Sequence, residues 1–180
     1  MLRIGLSGTN WTGKTETIRR FLKLHSKLNI EIISLSALVD QCPFSMMETQ
    51  TLEGSQWMVD QVRAILNNNG DKIQVFDRTP LDILAFTLYA ENRMNEENPE
   101  IINSILGLFR YFDFIFYLQP SDEWLPNICT TQDEIDFALQ IDCYMRKAIE
   151  LFSLEVIQLP WQLAERQRLL SEYLVGSLSI

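Results

Sequence analysis

The chain has 180 residues, with 24 Asp and Glu against 15 Lys and Arg, a formal net charge of −9 and a hydrophobic fraction of 47%. That length suits one domain, residues 1–180, with a substantial buried core. The negative balance argues against a surface that tracks nucleic acid and against a polybasic membrane patch, and no apolar stretch reaches the length of a membrane span.

Leu2 to Leu6 form a short apolar run, and Gly8-Thr9-Asn10-Trp11-Thr12-Gly13-Lys14-Thr15 follows directly. Met1 runs straight into that strand, so no signal peptide is expected. The eight residues fit G-x-x-x-x-G-K-[ST] without a mismatch, and Ile18, Phe21 and Leu22 then fall at helical spacing. Glycines let successive N–H groups point into one concavity, and the helix that starts near Gly13 adds the positive end of its dipole. Lys14 is expected to reach the β- and γ-phosphates of a nucleoside triphosphate, and the Thr15 hydroxyl to ligate Mg²⁺.

The first helix is expected over 14–26, with Arg19, Arg20, Lys23 and His25 solvated. Ile30, Ile32, Ile33 and Leu35 make a second strand. Residues 36–51 read as a short helix and a loop, and 53–68 as a helix stopped by Asn67-Asn68-Asn69-Gly70. Lys72 to Phe76 form a third strand ending in Asp77-Arg78. A helix then starts with Thr79 as N-cap, Pro80 at its first position and Asp82 three residues after the cap. A further helix is capped by Asn98-Pro99 and packed through Phe109, and 112–118 is a nearly all-apolar fourth strand. A loop over 119–131 leads to the longest helix, 133–152, opened by Thr131 and Glu134. Residues 155–159 form a fifth strand, and Pro160 begins a terminal helix carrying Leu163, Leu170 and Leu174.

Strands and helices alternate, which implies an α/β, three-layer P-loop NTPase fold: a five-stranded parallel sheet with helices on both faces. Cys42, Cys129 and Cys143 lack metal-site spacing and read as reduced, mostly buried thiols of a cytoplasmic protein.

Asp77 closes an apolar strand, where a P-loop protein places its Mg²⁺-organising acid. Arg78 stands at the carboxyl edge of the sheet and can grip a phosphate or stabilise charge in transfer. For Asp82 a capping role suffices. Trp11 either covers phosphates or a nucleobase, or packs on a neighbouring helix. Trp161, Arg166 and Arg168 read as structural.

Phosphate loop, strand, Asp77-Arg78-Thr79 and Ala85-Phe86 together resemble the nucleoside and nucleotide kinases of the thymidylate kinase and deoxynucleoside kinase type, and more closely the small single-domain bacterial ATP-binding P-loop proteins. The resemblance covers residues 4 to about 90 at motif level. It implies ATP and Mg²⁺ as cofactors, transfer to a small nucleoside, nucleotide or related acceptor, and Arg78 on the phosphoryl groups. It places Gln56, Gln61 and Arg63 on or beside the acceptor helix, either reading a base edge or as solvated surface.

The chain departs from that pattern twice. Those kinases carry a glutamate base after strand two, whereas Ser34, Ser36 and then Asp40 stand here, so Asp40 and Asp77 are both candidates. Their lid carries arginines. Here the lid-like segment, about 119–134, lies in a stretch from Arg110 to Arg146 with no Lys or Arg between, while Asp122, Glu123, Asp133 and Glu134 are acidic. Arg146 either reaches back to the site or stays solvated. An ATP-binding regulatory protein with slow or absent transfer is therefore the alternative, and a plain NTPase switch the third. No N-K-x-D segment is present to read guanine. No nucleic-acid or membrane partner is expected, and a homodimer is left open.

Overall fold

The computed structural model describes residues 1–68, 72–121, 123 and 125–178. Asn69-Gly70 of the expected helix stop, and Asp122 of the lid carboxylates, lie outside the described residues. In chain order the elements are β1 (Arg3–Ser7), α1 (Lys14–Leu24), β2 (Ile30–Ser34), α2 (Ser36–Val39), α3 (Leu52–Leu66), β3 (Ile73–Asp77), α4 (Pro80–Met94) and α5 (Pro99–Leu106). Then come β4 (Phe114–Tyr117), α6 (Leu125–Ile128), α7 (Gln132–Leu151), β5 (Ile157–Gln158) and α8 (Leu163–Leu178).

Every strand pairing is parallel, in the order β2-β3-β1-β4-β5. Helices cover both faces, which is the three-layer arrangement that the alternation of elements implies. Period-two alternation divides the core between the faces. On β3, Val75 packs with α1 and α8 through Ile18, Phe21, Leu170 and Leu174, whereas Phe76 faces the larger cluster of α3, α4, α5 and α7. Buried β1 at the centre aims its carboxyl end into the loop before α1.

Caps set the helix starts. Thr79 and Thr131 each open a capping box, with Asp82 and Glu134 returning the bond, and Asn98 accepts from the Ile101 N–H at 3.1 Å. Both X-Pro starts, at Pro80 and Pro99, fall where the sequence places them.

Several boundaries differ from expectation. The 119–131 loop contains α6, a single turn. The fifth strand pairs only Ile157 and Gln158, opposite Phe116 and Tyr117 of β4. Helix α8 begins at Leu163 rather than Pro160, since the Pro160 carbonyl accepts from the Arg166 Nε at 2.7 Å. Residues 109–111 form a separate 3₁₀ turn beyond the end of α5. None of the three cysteines is buried: Cys42 and Cys129 are half-buried and Cys143 is exposed. His25 is not simply solvated, as its Nε2 lies 2.8 Å from the Ser171 Oγ. No described helix is long and apolar enough to cross a membrane.

The tightest contact between β1's end and β4's end is at Gly8, with φ 147°, where an added Cβ would lie 2.4 Å from the Leu118 carbonyl. Backbone cannot yield as a flexible side chain can. Gly8→Ala should therefore cost about 3 kcal/mol, or roughly 6–12 °C in Tm for a chain of this size. Thermal unfolding of the variant with an unchanged midpoint would refute this close approach.

Candidate functional site

The carboxyl edge of the sheet brings together the loop after β1, the β3–α4 corner and the start of α8. Gly13, at φ 82°, is the N-cap of α1, and Trp11 also has positive φ (62°). Their conformations curl residues 8–14 so that the loop's carbonyls gather around its own lysine. Lys14 is only 7% exposed. Its Nζ donates to the Gly8 carbonyl at 2.6 Å, the Thr9 carbonyl at 2.7 Å and the Thr12 Oγ1 at 3.4 Å. Burial, then the neighbouring Arg78 cation, lower its pKa to about 8, with Asp82 and Asp77 opposing.

Asp82 is the carboxylate at the centre. It is 2% exposed, and burial raises its pKa against the opposing pull of Arg78 and Lys14. Its Oδ2 accepts from the Thr79 N–H at 2.9 Å, completing the cap. Its Oδ1 accepts from the Gly8 N–H at 3.4 Å and lies 3.5 Å from an Arg78 terminal nitrogen. The expected capping role is thus present, and the same carboxylate also holds the phosphate loop, which the helix-start pattern alone does not reveal.

The β3–α4 corner grips the loop twice more. Thr79 and Ser7 share a hydroxyl–hydroxyl bond. Arg78, at φ 75°, donates to the Asn10 Oδ1 at 2.7 Å, and its guanidinium sits 5.9 Å from the Phe86 ring centroid. Asp77 ends β3 opposite Leu6 and Ser34, close enough to act on the Lys14 charge. Thr15 is exposed at the start of α1. Gly8 to Thr15, Asp77 and Arg78 therefore converge.

The other candidates fall elsewhere. Trp11 lines a small cavity with Phe86, Phe137, Ala138 and Ile141. Arg146 does not reach the site: its Nε donates to the Asp142 Oδ2 at 3.0 Å, and Asp142 also accepts from the Tyr117 hydroxyl. Gln56 and Arg63 both bind Asp60 on the exposed face of α3. Asp40 ends α2 and is not among the residues lining the cavity beside the site.

That cavity is walled by Met46, Met47, Met58 and Phe86, with Arg78 and Asp82 also in its lining. Its volume is about 30 Å³, room for a water-sized group. A strap, residues 46–50, contributes Met46, Met47 and Gln50 to its lining and is fixed to α4, because the Tyr89 hydroxyl donates to the Glu48 carbonyl at 2.9 Å and Arg93 to the Gln50 carbonyl at 2.6 Å.

One site residue lacks any local signal. Arg166 of α8, 4% exposed, donates from one terminal nitrogen to the Thr12 carbonyl at 2.9 Å and the Thr17 Oγ1 at 3.2 Å. Arg168, two residues on, pairs with Glu172 in solvent, and nothing in the sequence separates the two arginines.

The donor set fits a metal held mainly by phosphate and water. Among the described residues no cluster of three or more His, Cys, Asp or Glu could enclose an ion, while one hydroxyl and one carboxylate, Thr15 and Asp77, stand beside a buried ammonium.

A family model described as an AAA domain matches residues 3–166. No curated protein sequence matches the chain. Among solved structures, a deoxyadenosine kinase from M. mycoides with dCMP and dCDP bound is 16% identical, covering 97% of this chain and 99% of that one at a TM-score of 0.66. A thymidylate kinase from Ehrlichia chaffeensis is 14% identical over 96% of this chain and 98% of its own, TM-score 0.64. The YorR protein of Bacillus subtilis, in complex with phosphorylated GDP, is 13% identical over 99% and 98%, TM-score 0.64. At these identities the likeness establishes the fold.

The buried ammonium gives a linkage test. Lys14 releases its proton at about 8 in the fold, against 10.5 for the unperturbed group. Between those values the unfolded chain holds a proton that the fold has lost, so stability rises with pH there. Between about pH 7 and about pH 9.5 the protein should gain about 2 kcal/mol relative to Lys14→Met. Urea unfolding of both proteins measures it, and a difference that stays flat with pH would mean the ammonium is solvated.

Proposed function

This chain belongs to the AAA domain family, and we propose that it is a Mg-ATP-dependent kinase, a phosphotransferase acting on a small nucleoside, nucleotide or related metabolite. The observation that carries this reading is the meeting of the phosphate loop with an apolar cavity at Arg78 and Asp82. A switch or motor needs only the loop. Apolar walls with a cation and a carboxylate among them mark the edge at which an acceptor would meet the phosphate, and at about 30 Å³ the cavity takes only a water-sized part of it.

In this reading the Gly8–Thr15 backbone and Lys14 hold the triphosphate, and Thr15 and Asp77 hold Mg²⁺. The metal, when bound, offsets charge on the phosphate oxygens. Arg78 meets charge that develops on the moving group. Asp82, rather than Asp40, is the carboxylate at the cavity and orients the acceptor through Arg78. Catalysis is then positioning and charge neutralisation. The unit is a single domain over 1–180 with a lid-like segment at about 119–134, working in the cytoplasm where its triphosphate is supplied. Deoxyadenosine kinase and thymidylate kinase among the structural neighbours support the substrate class.

A specific observation favours the regulatory alternative, an ATP-binding protein with slow or no transfer. The only arginine beyond the lid-like segment on α7, Arg146, is engaged by Asp142, away from the loop.

The two readings separate by experiment. Lys14→Ala and Thr15→Ala should abolish Mg²⁺-dependent ATP binding in calorimetry while the domain stays folded; unaltered affinity in both would remove the basis of either reading. A thermal-shift screen of nucleosides and nucleotides with Mg-ATP identifies the acceptor. Arg78→Ala should then slow transfer of labelled γ-phosphate by roughly two orders of magnitude with ATP affinity nearly unchanged. If no acceptor is labelled and Arg78→Ala alters only resting affinity, the kinase reading fails and the regulatory one stands.

A further inference from the structure

Helix α8 lies behind the phosphate loop, and two adjacent side chains reach from it. Gln167 donates through Nε2 to the Thr17 carbonyl at 2.9 Å. Arg166 donates to the Thr12 carbonyl at 2.9 Å, to the Thr17 Oγ1 at 3.2 Å and, through Nε, to the Pro160 carbonyl at 2.7 Å. Thr17 in turn donates to the Gly13 carbonyl at 2.9 Å. A Cβ on Gly13 would come within 3.1 Å of the same Arg166 nitrogen, and the Trp161 ring centroid lies 4.9 Å from the guanidinium carbon.

Tying α8 to the loop–α1 unit does not require a charge. Gln167, one residue away, holds the Thr17 carbonyl of α1 with a neutral amide. A guanidinium 4% exposed is expensive unless something negative offsets it, and among the described residues no carboxylate does so. The charge is therefore explained by an anion on the far side of the peptide that it holds. A cation on the Thr12 carbonyl polarises the Thr12–Gly13 peptide, strengthening its N–H as a donor toward that anion. The three-pronged contact also fixes the orientation of this peptide, because a planar fork with set angles cannot satisfy three acceptors in two arrangements.

We propose that Arg166 is a positioning residue for the triphosphate, acting through the Thr12–Gly13 peptide by orienting and polarising the loop from behind. The inference rests on the phosphate-binding reading of the loop given above. It supplies from α8 a cation that the arginine-free lid does not. Beyond its own segment Arg166 touches the loop at Thr12 and α1 at Thr17, so its effect falls on the phosphates rather than on the base or the acceptor.

Titration calorimetry of Mg-ATP and of inorganic tripolyphosphate against the native chain, Arg166→Met and Arg166→Lys tests it. Methionine keeps the apolar stem beside Trp161 and removes charge and fork. Both ligands should bind Arg166→Met about tenfold or more weakly, by a similar factor, at full stoichiometry. Arg166→Lys keeps the charge without the fork and should lose a smaller but measurable factor. Weakening of ATP alone would make Arg166 part of a base platform and overturn the proposal. Unchanged affinity with reduced stoichiometry would make it a folding residue and also overturn it. If the methionine variant does not fold, Arg166→Lys decides: native affinity at full stoichiometry sinks the idea. Failure of the native chain to bind either ligand would instead remove the phosphate-binding reading itself.

Discussion

The buried Asp82 carboxylate is the constraint on which the rest of the site depends. Two cations, Lys14 and Arg78, lie at the loop where burial removes most of their hydration. An uncompensated ion there would cost several kcal/mol. Asp82 offsets both, while Asp77 contributes from the end of β3. The same carboxylate fixes the backbone at the Gly8 and Thr79 amides, so charge balance and loop geometry share one group. This is why a residue that looks like an ordinary third position of a helix is 2% exposed. It also explains the opposite shifts of Lys14 and Asp82. Burial disfavours the charged form of each, and mutual attraction only partly restores it.

How far this was legible in the sequence follows from how local each cause is. The loop is determined by residues within eight positions of one another. The helix starts at Thr79, Asn98 and Thr131 depend on side chains three residues ahead, so their signals survive in one dimension. Sheet order and two-faced covering follow from alternation. The short β5 does not, because its length depends on how much of β4 lies beside it, and the paired residues Phe116 and Ile157 are 41 positions apart. Asp82 was legible as a cap and invisible as a brace, since its second partner lies at Gly8. Arg166 and Arg168 have the same chemistry two positions apart, and helical rotation alone sends one under the loop and the other into solvent.

The lid side shows a related substitution of means. With no Lys or Arg between 110 and 146, the chain carries apolar, neutral and acidic groups in the segment where related kinases carry a basic lid. Trp11 at the tip of the loop shares a small cavity with Phe137, Ala138 and Ile141 of α7, and α7 is anchored to β4 through Tyr117, Asp142 and Arg146. Burial and the bond to Asp142 push the Tyr117 hydroxyl far above its usual range, so it stays a donor at every physiological pH. The loop tip therefore faces a fixed helix across a small cavity, and positive charge comes from the β3–α4 corner and from α8 instead.

Backbone strain is gathered in the same place. Among the described residues, five non-glycine positions have positive φ, and three of them, Trp11, Met47 and Arg78, surround the site. A bulky residue in that region costs about 1–3 kcal/mol and persists only where neighbours over-determine it. Each of the three is held so. The Arg78 side chain is tied to Asn10 and Asp82, and the Met47 N–H to the Gln50 Oε1 at 3.2 Å, inside a strap bound to Tyr89 and Arg93. Trp11 faces α7 across a small cavity. The aliphatic and aromatic core under α3, α4 and α7 supplies the stability that these conformations draw on. Strain of this kind fixes where side chains point before any ligand arrives. A site that works by positioning needs that more than it needs reactive groups.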